Sequence, residues 1–333
     1  MYKIFKIKQG EDIKNNLKEI FEYWKETGFP NYQKEDYNLK KELEKIINFN
    51  EKTIFDKETK NLKQTMHGCG FLWTYFPHWI DVKCGNETNT LLENWNNDEK
   101  LYKLIEKTYK WQQKHGNGNF TINRLRQNSK VYLNKQTVSN FRPTVAKYIY
   151  NTFGNKGVVW DMSCGWGGRL LGFLASNCTT YIGTEPSTLT YNGLCKIKED
   201  YEYTNKNIKL YKLGSEIYRP EKDSLDLCFT SPPYFDTEKY ANEITQSYIK
   251  YKTDIEWCNG FLKDTINNCY YGLKKNGYMI INISNVKTSN ILQDMTVKLS
   301  LEQGFKHIDT YNLILSSISG KGYKFEPVYI FKK

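Results

Sequence analysis

From about residue 139 onward, short apolar runs alternate with helical patterns, and this alternation restricts the chain to few architectures. The runs 157–161, 179–184, 208–213, 225–231, 278–284, 308–315 and 327–332 read as strands, and 143–153, 168–176, 187–199 and 254–273 between them read as helices. A helix between two strands carries the chain back to the same end of the sheet, which favours mainly parallel pairing with helices on both faces. The last two strands follow one another without a helix, joined by a loop containing Gly320-Lys321-Gly322, and are expected to pair as an antiparallel hairpin at the sheet edge. The expected fold is α/β: a doubly wound, mostly parallel seven-stranded sheet with an antiparallel edge hairpin, plus an N-terminal, mainly helical extension.

The extension has its own punctuation. Between Glu11 and Glu26, Ile13, Leu17, Ile20, Phe21 and Trp24 share one helical face, and Gly28 supplies a stop. Residues 34–50 read as a charged helix, and 65–95 as an aromatic stretch with no clean period. A helix capped at Asn97/Asp98 runs to about Lys114 with Leu101, Leu104, Ile105 and Trp111 on one side. The polar run Gly116–Asn119 suggests a boundary, and 117–137 reads as a basic loop containing Arg124, Arg126, Lys130 and Lys135. The expected division is therefore a substrate-recognition extension, 1–125, and a catalytic domain, 126–333.

Composition narrows the partners. The 333 residues carry a formal charge of +11, with 26 Tyr and 8 Trp, which suits a polyanion with stackable bases. Richness in Lys, Asn, Ile and Tyr, as an AT-rich genome imposes, is a second source of the lysine excess. No apolar run reaches the ~18 residues a membrane span needs. The eight cysteines lack any Cys-x-x-Cys, and the opening residues lack a signal-peptide core, so a reduced cytoplasmic setting is expected. His67, Cys69, His78 and Cys84 match no common metal-ligand spacing, so no metal is expected; His115 and His307 read as structural.

The strand ending Val158-Val159-Trp160-Asp161 runs into Met-Ser163-Cys164-Gly165-Trp-Gly167-Gly168-Arg169, a glycine turn opening a helix. Glycine lets a ligand approach the backbone, and a helix start offers free N–H groups. Glu185, before Pro186 at the end of the next strand, stands where a carboxylate can chelate the ribose hydroxyls of an adenosine cofactor. Leu170 occupies the place of the third glycine of a dinucleotide fingerprint, and Asp161 would repel a pyrophosphate. An aspartate suits a cationic cofactor, so S-adenosylmethionine is preferred over a nicotinamide.

At the end of a later strand stands Ser231-Pro232-Pro233-Tyr234. Two prolines stiffen the exit and remove two donors, leaving the Ser231 hydroxyl, the flanking carbonyls and the Tyr234 ring on show. Such a corner can hold the exocyclic amine of a flipped base with a ring on its face. The loop Phe235–Ser247 reads as a cover over that base, with Tyr240 as a second stacker.

Asp161…Gly165-x-Gly167, Glu185 and Ser231-Pro-Pro-Tyr234 together resemble motifs I, II and IV of the DNA amino-methyltransferases, with a gamma-like motif order. The resemblance covers about 139–333. It implies a Rossmann-like methyltransferase sheet and S-adenosylmethionine as cofactor. The segment Asn140-Phe141-Arg142-Pro143-Thr144 is similar to motif X and would touch the cofactor's methionine end; Ser215 and Glu216 sit where motif III meets the adenine. Ser163 stands where the family usually has Phe, and Ser231 where Asp or Asn is commoner, a choice more frequent among cytosine-N4 enzymes. The implied partner is double-stranded DNA with a flipped base, the implied reaction methyl transfer to N4 of cytosine, favoured over N6 of adenine, as in the modification enzymes of phages and mobile elements. No Pro-Cys dipeptide is present, which argues against carbon-5 methylation. Arg124 and Arg126 are candidate phosphate contacts. The alternatives are an RNA base amino-methyltransferase, transfer of a larger group from a modified cofactor, and a non-catalytic nucleic-acid-binding module.

Overall fold

The computed structural model describes all residues except Met1, Glu11, Lys135 and residues 319–321. Lys135, the first residue of the helix expected from Glu11, and most of the Gly-Lys-Gly loop therefore lie outside the described residues. The chain forms two compact units, one of residues 1–32 and 77–139, the other of 33–76 and 140–333. This differs from a division at residue 125, because 33–76 is built into the larger unit. The buried Lys147 ammonium donates to the carbonyls of Ile46, Ile47 and Phe49 at 3.2, 2.7 and 3.3 Å. Thr65 and Thr144 share a hydroxyl hydrogen bond of 2.8 Å, and Tyr201 donates to the Leu39 carbonyl. Such long-range polar contacts leave no periodic trace in a sequence.

The larger unit is a nine-stranded sheet. In chain order its strands are β1 (Phe55–Asp56), β2 (Asn61–Leu62), β3 (Val158–Asp161), β4 (Thr180–Thr184), β5 (Asn207–Tyr211), β6 (Leu225–Thr230), β7 (Leu273–Asn282), β8 (Lys306–Ile318) and β9 (Gly322–Lys332). The spatial order is β1-β2-β8-β9-β7-β6-β3-β4-β5. Strands β5, β4, β3, β6 and β7 are mutually parallel, while β9 is antiparallel to both β7 and β8. The expected seven-stranded, doubly wound sheet is thus present. Its closing hairpin is not the edge, however: β2 pairs with β8 and carries β1 beyond it. Two-residue strands are too short to show an alternating pattern, so the sequence did not announce them.

Helix α1 (Pro143–Phe153) has proline in its first turn, where the missing N–H costs nothing. It packs against α2 (Gly168–Leu174), whose residues are all buried. A Cβ on Gly172 would lie 2.5 Å from that of Ala146, so glycine permits this close crossing. Helix α3 (Thr188–Asp200) follows β4. The helical stretch expected over 254–273 runs Asp254–Trp257, then a wider turn Cys258–Leu262, then Lys263–Gly272. A further helix, Leu292–Gln303, was not expected. Two of its buried positions are Thr296 and Ser300, which break the apolar period; each hydroxyl donates to the carbonyl four residues earlier.

The smaller unit is helical, with Asp12–Thr27 and Asp98–His115 packed on each other and a short Phe5/Phe120 strand pair. Trp24 and Trp95 meet edge to face in its core at 6.4 Å. The stretch read as a basic loop holds a helix, Ile122–Tyr132. Its buried face is Leu125, Arg126, Asn128 and Ser129, so hydrogen bonds rather than an apolar stripe seat it. Among the described residues no helix is long and apolar enough to cross a membrane.

Candidate active site

Because β3, β4, β5 and β6 are parallel, their C-terminal ends share one edge of the sheet. Asp161, Glu185, the 212–216 turn and Ser231 all emerge there. From β3 the chain winds outward through β4 and β5, then crosses back to β6 on the other side of β3. The crevice of a doubly wound sheet opens at such a reversal. Asp161 and Ser231 flank it. Thr230, the last residue of β6, ties the two motifs together: its hydroxyl donates to Asp161 Oδ1 at 3.1 Å and approaches the Ser163 carbonyl at 3.4 Å.

Asp161 does not present a free charge to a cofactor. It is fully buried and its carboxylate accepts from Arg169 Nε at 2.9 Å, Tyr181 Oη at 2.7 Å and the Ser163 N–H at 3.3 Å. Arg169 also donates to the Ser163 carbonyl. The expectation that Asp161 pairs a cationic cofactor is corrected on this point: its charge is neutralised inside the protein. Arg169, which the sequence left without a role, braces the turn. Burial, the largest influence on Arg169, opposes its charge, but the Asp161 carboxylate together with Tyr181, Tyr150 and Cys164 outweighs it and the guanidinium pKa rises.

Glu185 directly follows β4 and lies beside the glycine turn. Its Oε2 accepts from the Gly165 N–H at 3.0 Å and its Oε1 from the Ser187 N–H at 3.0 Å. Burial pushes its pKa up to about 7, against the opposing pull of those two N–H groups. Gly165 and Gly167 differ in their surroundings, and a side chain at Gly165 would meet no close contact. At φ +53° a Cβ there would meet just the Tyr240 hydroxyl and the Ser163 carbonyl, at 3.6 and 4.0 Å. Gly167, at φ +75°, is needed for packing instead, since a Cβ would lie 2.8 Å from Ile197. Cys164 points inward, 3.3 Å from Tyr181 Oη, and burial raises its thiol pKa well above the ordinary value.

Several cofactor candidates turn out to support the turn rather than face a ligand. In the segment resembling motif X, the contact is made by Asn140, whose side chain accepts from the Gly168 N–H at 3.0 Å and donates to the Trp166 carbonyl at 2.6 Å. Phe141 sets its ring edge-on to Phe229, and Arg142 is held by Gln64 and the Asn140 carbonyl. Pro143 and Thr144 are buried, the latter on Thr65. Ser215 is buried against Thr265 at 2.7 Å. Glu216 differs: Lys250 takes its Oε1 at 2.5 Å, while Oε2 is buried with no hydrogen-bond partner among the described residues.

The loop after the Pro-Pro corner lies over the glycine turn. The Tyr240 and Trp166 rings are 4.5 Å apart. Glu243 caps the start of α3, accepting from Thr188 N and Oγ1 at 3.0 and 2.7 Å, and Thr245 donates to the Pro186 carbonyl at 3.2 Å. Pro232 is buried and Pro233 half-buried. The Tyr234 hydroxyl is fixed by Glu326 Oε2 at 3.1 Å, the Asn282 carbonyl at 3.2 Å and Ser231 Oγ at 3.3 Å. Phe235 was expected in a substrate-facing loop, but its ring is buried in the core and its φ is +54°. A left-handed phenylalanine costs about 1–2 kcal/mol, which the burial of its ring offsets.

In the smaller unit Arg126 is buried, donating to the Pro30 carbonyl at 2.6 Å and to Asn123, so its assignment as a phosphate contact is corrected to a structural one. Arg124 lies on the Trp111 ring at 3.3 Å. His67 and Cys69 belong to one unit, His78 and Cys84 to the other. Among the described residues no three His, Cys, Asp or Glu side chains cluster as a metal site.

No protein-family model matches the chain, and no curated protein matches it. Solved structures similar to it include geranyl diphosphate C-methyltransferase from Streptomyces coelicolor A3(2), with S-adenosyl-L-homocysteine bound (11% identity, TM-score 0.41, 56% of this chain and 74% of that one). Another is 1,6-didemethyltoxoflavin-N1-methyltransferase from Burkholderia thailandensis (10%, 0.40, 57% and 77%). A third is the cyclase SpnF (9%, 0.42, 57% and 81%). Likenesses of this size decide neither the fold nor the chemistry, which rest on the strand order and the side chains at the crevice.

Proposed function

We propose that the chain is an S-adenosylmethionine-dependent amino-methyltransferase acting on a nucleic-acid base, with N4 of cytosine in DNA preferred over N6 of adenine. The observation that carries this reading is the Thr230–Asp161 hydrogen bond of 3.1 Å, which sets the Ser231 corner beside the glycine turn in one crevice. The residues fit such a cofactor at its adenosine end. Gly165 carries no side chain in the cradle beneath Tyr240, Glu185 can accept from ribose hydroxyls, and Glu216 Oε2, unpartnered among the described residues, can accept from an adenine amino group. When bound, the cofactor supplies an electrophilic methyl group on a positively charged sulfur.

An aromatic exocyclic amine is a poor nucleophile because its lone pair is delocalised into the ring. Ser231 Oγ and the Pro232 carbonyl accept from its N–H groups, which localises that pair and aims it across the crevice. Orientation and electrostatics supply most of the acceleration. Phe235 is withdrawn from the substrate, so stacking falls to Tyr234 and Tyr240. Incubation with labelled cofactor and either duplex DNA or total RNA, followed by nucleoside mass analysis, tests the proposal. Methylated amino-nucleosides from DNA are expected. Label in RNA alone would redirect the substrate, and label in neither would overturn the function.

A further inference from the structure

We infer that Ser231, Tyr234 and Glu326 form a proton exit that drains the substrate amine during transfer, an inference that rests on the proposed function. An amine that gains a methyl group must lose a proton, and a hydrogen-bonded acceptor beside it gives that proton a defined path. The sequence assigned Tyr234 to base stacking and gave Glu326 no role. In the structure Ser231 Oγ lies 3.3 Å from Tyr234 Oη, which lies 3.1 Å from Glu326 Oε2. Glu326 is only partly enclosed, and Tyr323 and Lys324, just before it on β9, are exposed, so the chain of groups leads outward.

Donor and acceptor counts agree with this direction. Ser231 can donate to Tyr234 and keep lone pairs for the substrate amine, while Tyr234 has a single proton to give and Glu326 a carboxylate to take it. The Asn282 carbonyl and amide oxygens, at 3.2 and 3.3 Å, hold the phenol in line but accept no proton at neutral pH. The charged groups facing the relay are Lys324, which favours the ionised Glu326, and Glu238, which acts on Tyr234. Burial raises the pKa of Glu326 from its ordinary value, bringing it nearer to neutrality as a terminal acceptor.

The step balances. The nitrogen lone pair forms the N–C bond, the C–S pair stays on sulfur, and the nitrogen becomes cationic. Its N–H pair then returns to nitrogen as the proton passes to Ser231 Oγ. Ser231 releases its own proton to Tyr234 Oη, Tyr234 releases its proton to Glu326, and the carboxylic acid discharges to solvent. Glu326 acts through the other two and is a positioning residue, not a catalytic one.

The test uses Glu326→Gln, Glu326→Asp, Tyr234→Phe and the double variant Glu326→Gln/Tyr234→Phe, with cofactor affinity and thermal midpoint as controls. In the cofactor-free protein labelled with ¹³Cζ-tyrosine, the Tyr234 resonance, identified by its loss in Tyr234→Phe, should titrate with Glu326. That inflection should vanish in Glu326→Gln. In turnover, Glu326→Gln and Tyr234→Phe should each lower kcat about 10–100-fold, the range of a proton-transfer contribution, with the double variant no worse than either. The acid limb of the kcat–pH profile should disappear in Glu326→Gln and return in Glu326→Asp. Unchanged kcat and pH profile in Glu326→Gln, with wild-type methylation intact, would overturn the relay and leave the amino-methyltransferase standing. Failure of the wild-type chain to methylate any amine would overturn both.

Discussion

Arg169 Nε lies 2.9 Å from Asp161 Oδ2, with 5% of the arginine side chain and none of the aspartate's exposed. The pair converts what looked like a charged ligand for a cofactor into an internal strut. It joins the end of β3 to the first turn of α2, and through Thr230 to the end of β6. A buried pair of this kind is costly to break because the survivor keeps an uncompensated charge.

Arg169→Met should therefore destabilise the larger unit by about 3–5 kcal/mol, measured as a lowered urea midpoint. Adding Asp161→Asn should recover part of that loss. If the single variant unfolds at the wild-type midpoint, the strut has no energetic role.

The raised pKa of Glu185 makes stability fall with pH. Its value is about 7 in the folded chain against an ordinary value of 4.5, so between those limits the folded state holds more protons than the unfolded one. The contribution is fully present below pH about 4.5 and is lost as pH rises to about 7. Relative to Glu185→Gln, the wild-type thermal midpoint should thus decline across this window and level off above it. Cofactor binding should run the opposite way, because ribose hydroxyls donate to the ionised carboxylate. Below pH about 7, calorimetric affinity should weaken towards about tenfold per pH unit, a slope absent from Glu185→Gln.

The two glycines of the turn should separate on substitution. Gly165→Ala meets only ordinary contacts with Tyr240 and Ser163 and pays chiefly for its positive φ, about 1 kcal/mol, yet places a methyl group in the cradle. It should stay folded and lose cofactor affinity. Gly167→Ala adds a contact 2.8 Å from Ile197 to a φ of +75° and should lower the thermal midpoint more. Equal melting of both variants would refute the distinction.

Glu243 fastens the loop over the turn by capping α3 at Thr188. Glu243→Ala should cost about 1 kcal/mol and expose residues 236–246 to limited proteolysis, with a change in Trp166 fluorescence as Tyr240 moves off its ring. An unaltered cleavage pattern would show that the loop is held by other contacts.

The sequence alone determined the seven longer strands of the sheet, the glycine turn, and the places of Glu185 and the Ser231 corner at strand ends. These are written in local patterns: apolar runs of strand length, glycines beside a helix start, and prolines that end a strand. It did not determine that residues 33–76 join the larger unit, that Thr296 and Ser300 sit inside a helix, or that Arg126 is buried. Polar atoms bonded across long stretches of chain leave no apolar period. Only the tertiary structure decided what Asp161, Phe235 and Tyr234 face, because a side chain's partner depends on neighbouring strands rather than on adjacent residues. Arg169 took Asp161, the core took the Phe235 ring, and Glu326 on β9 received the phenol of Tyr234.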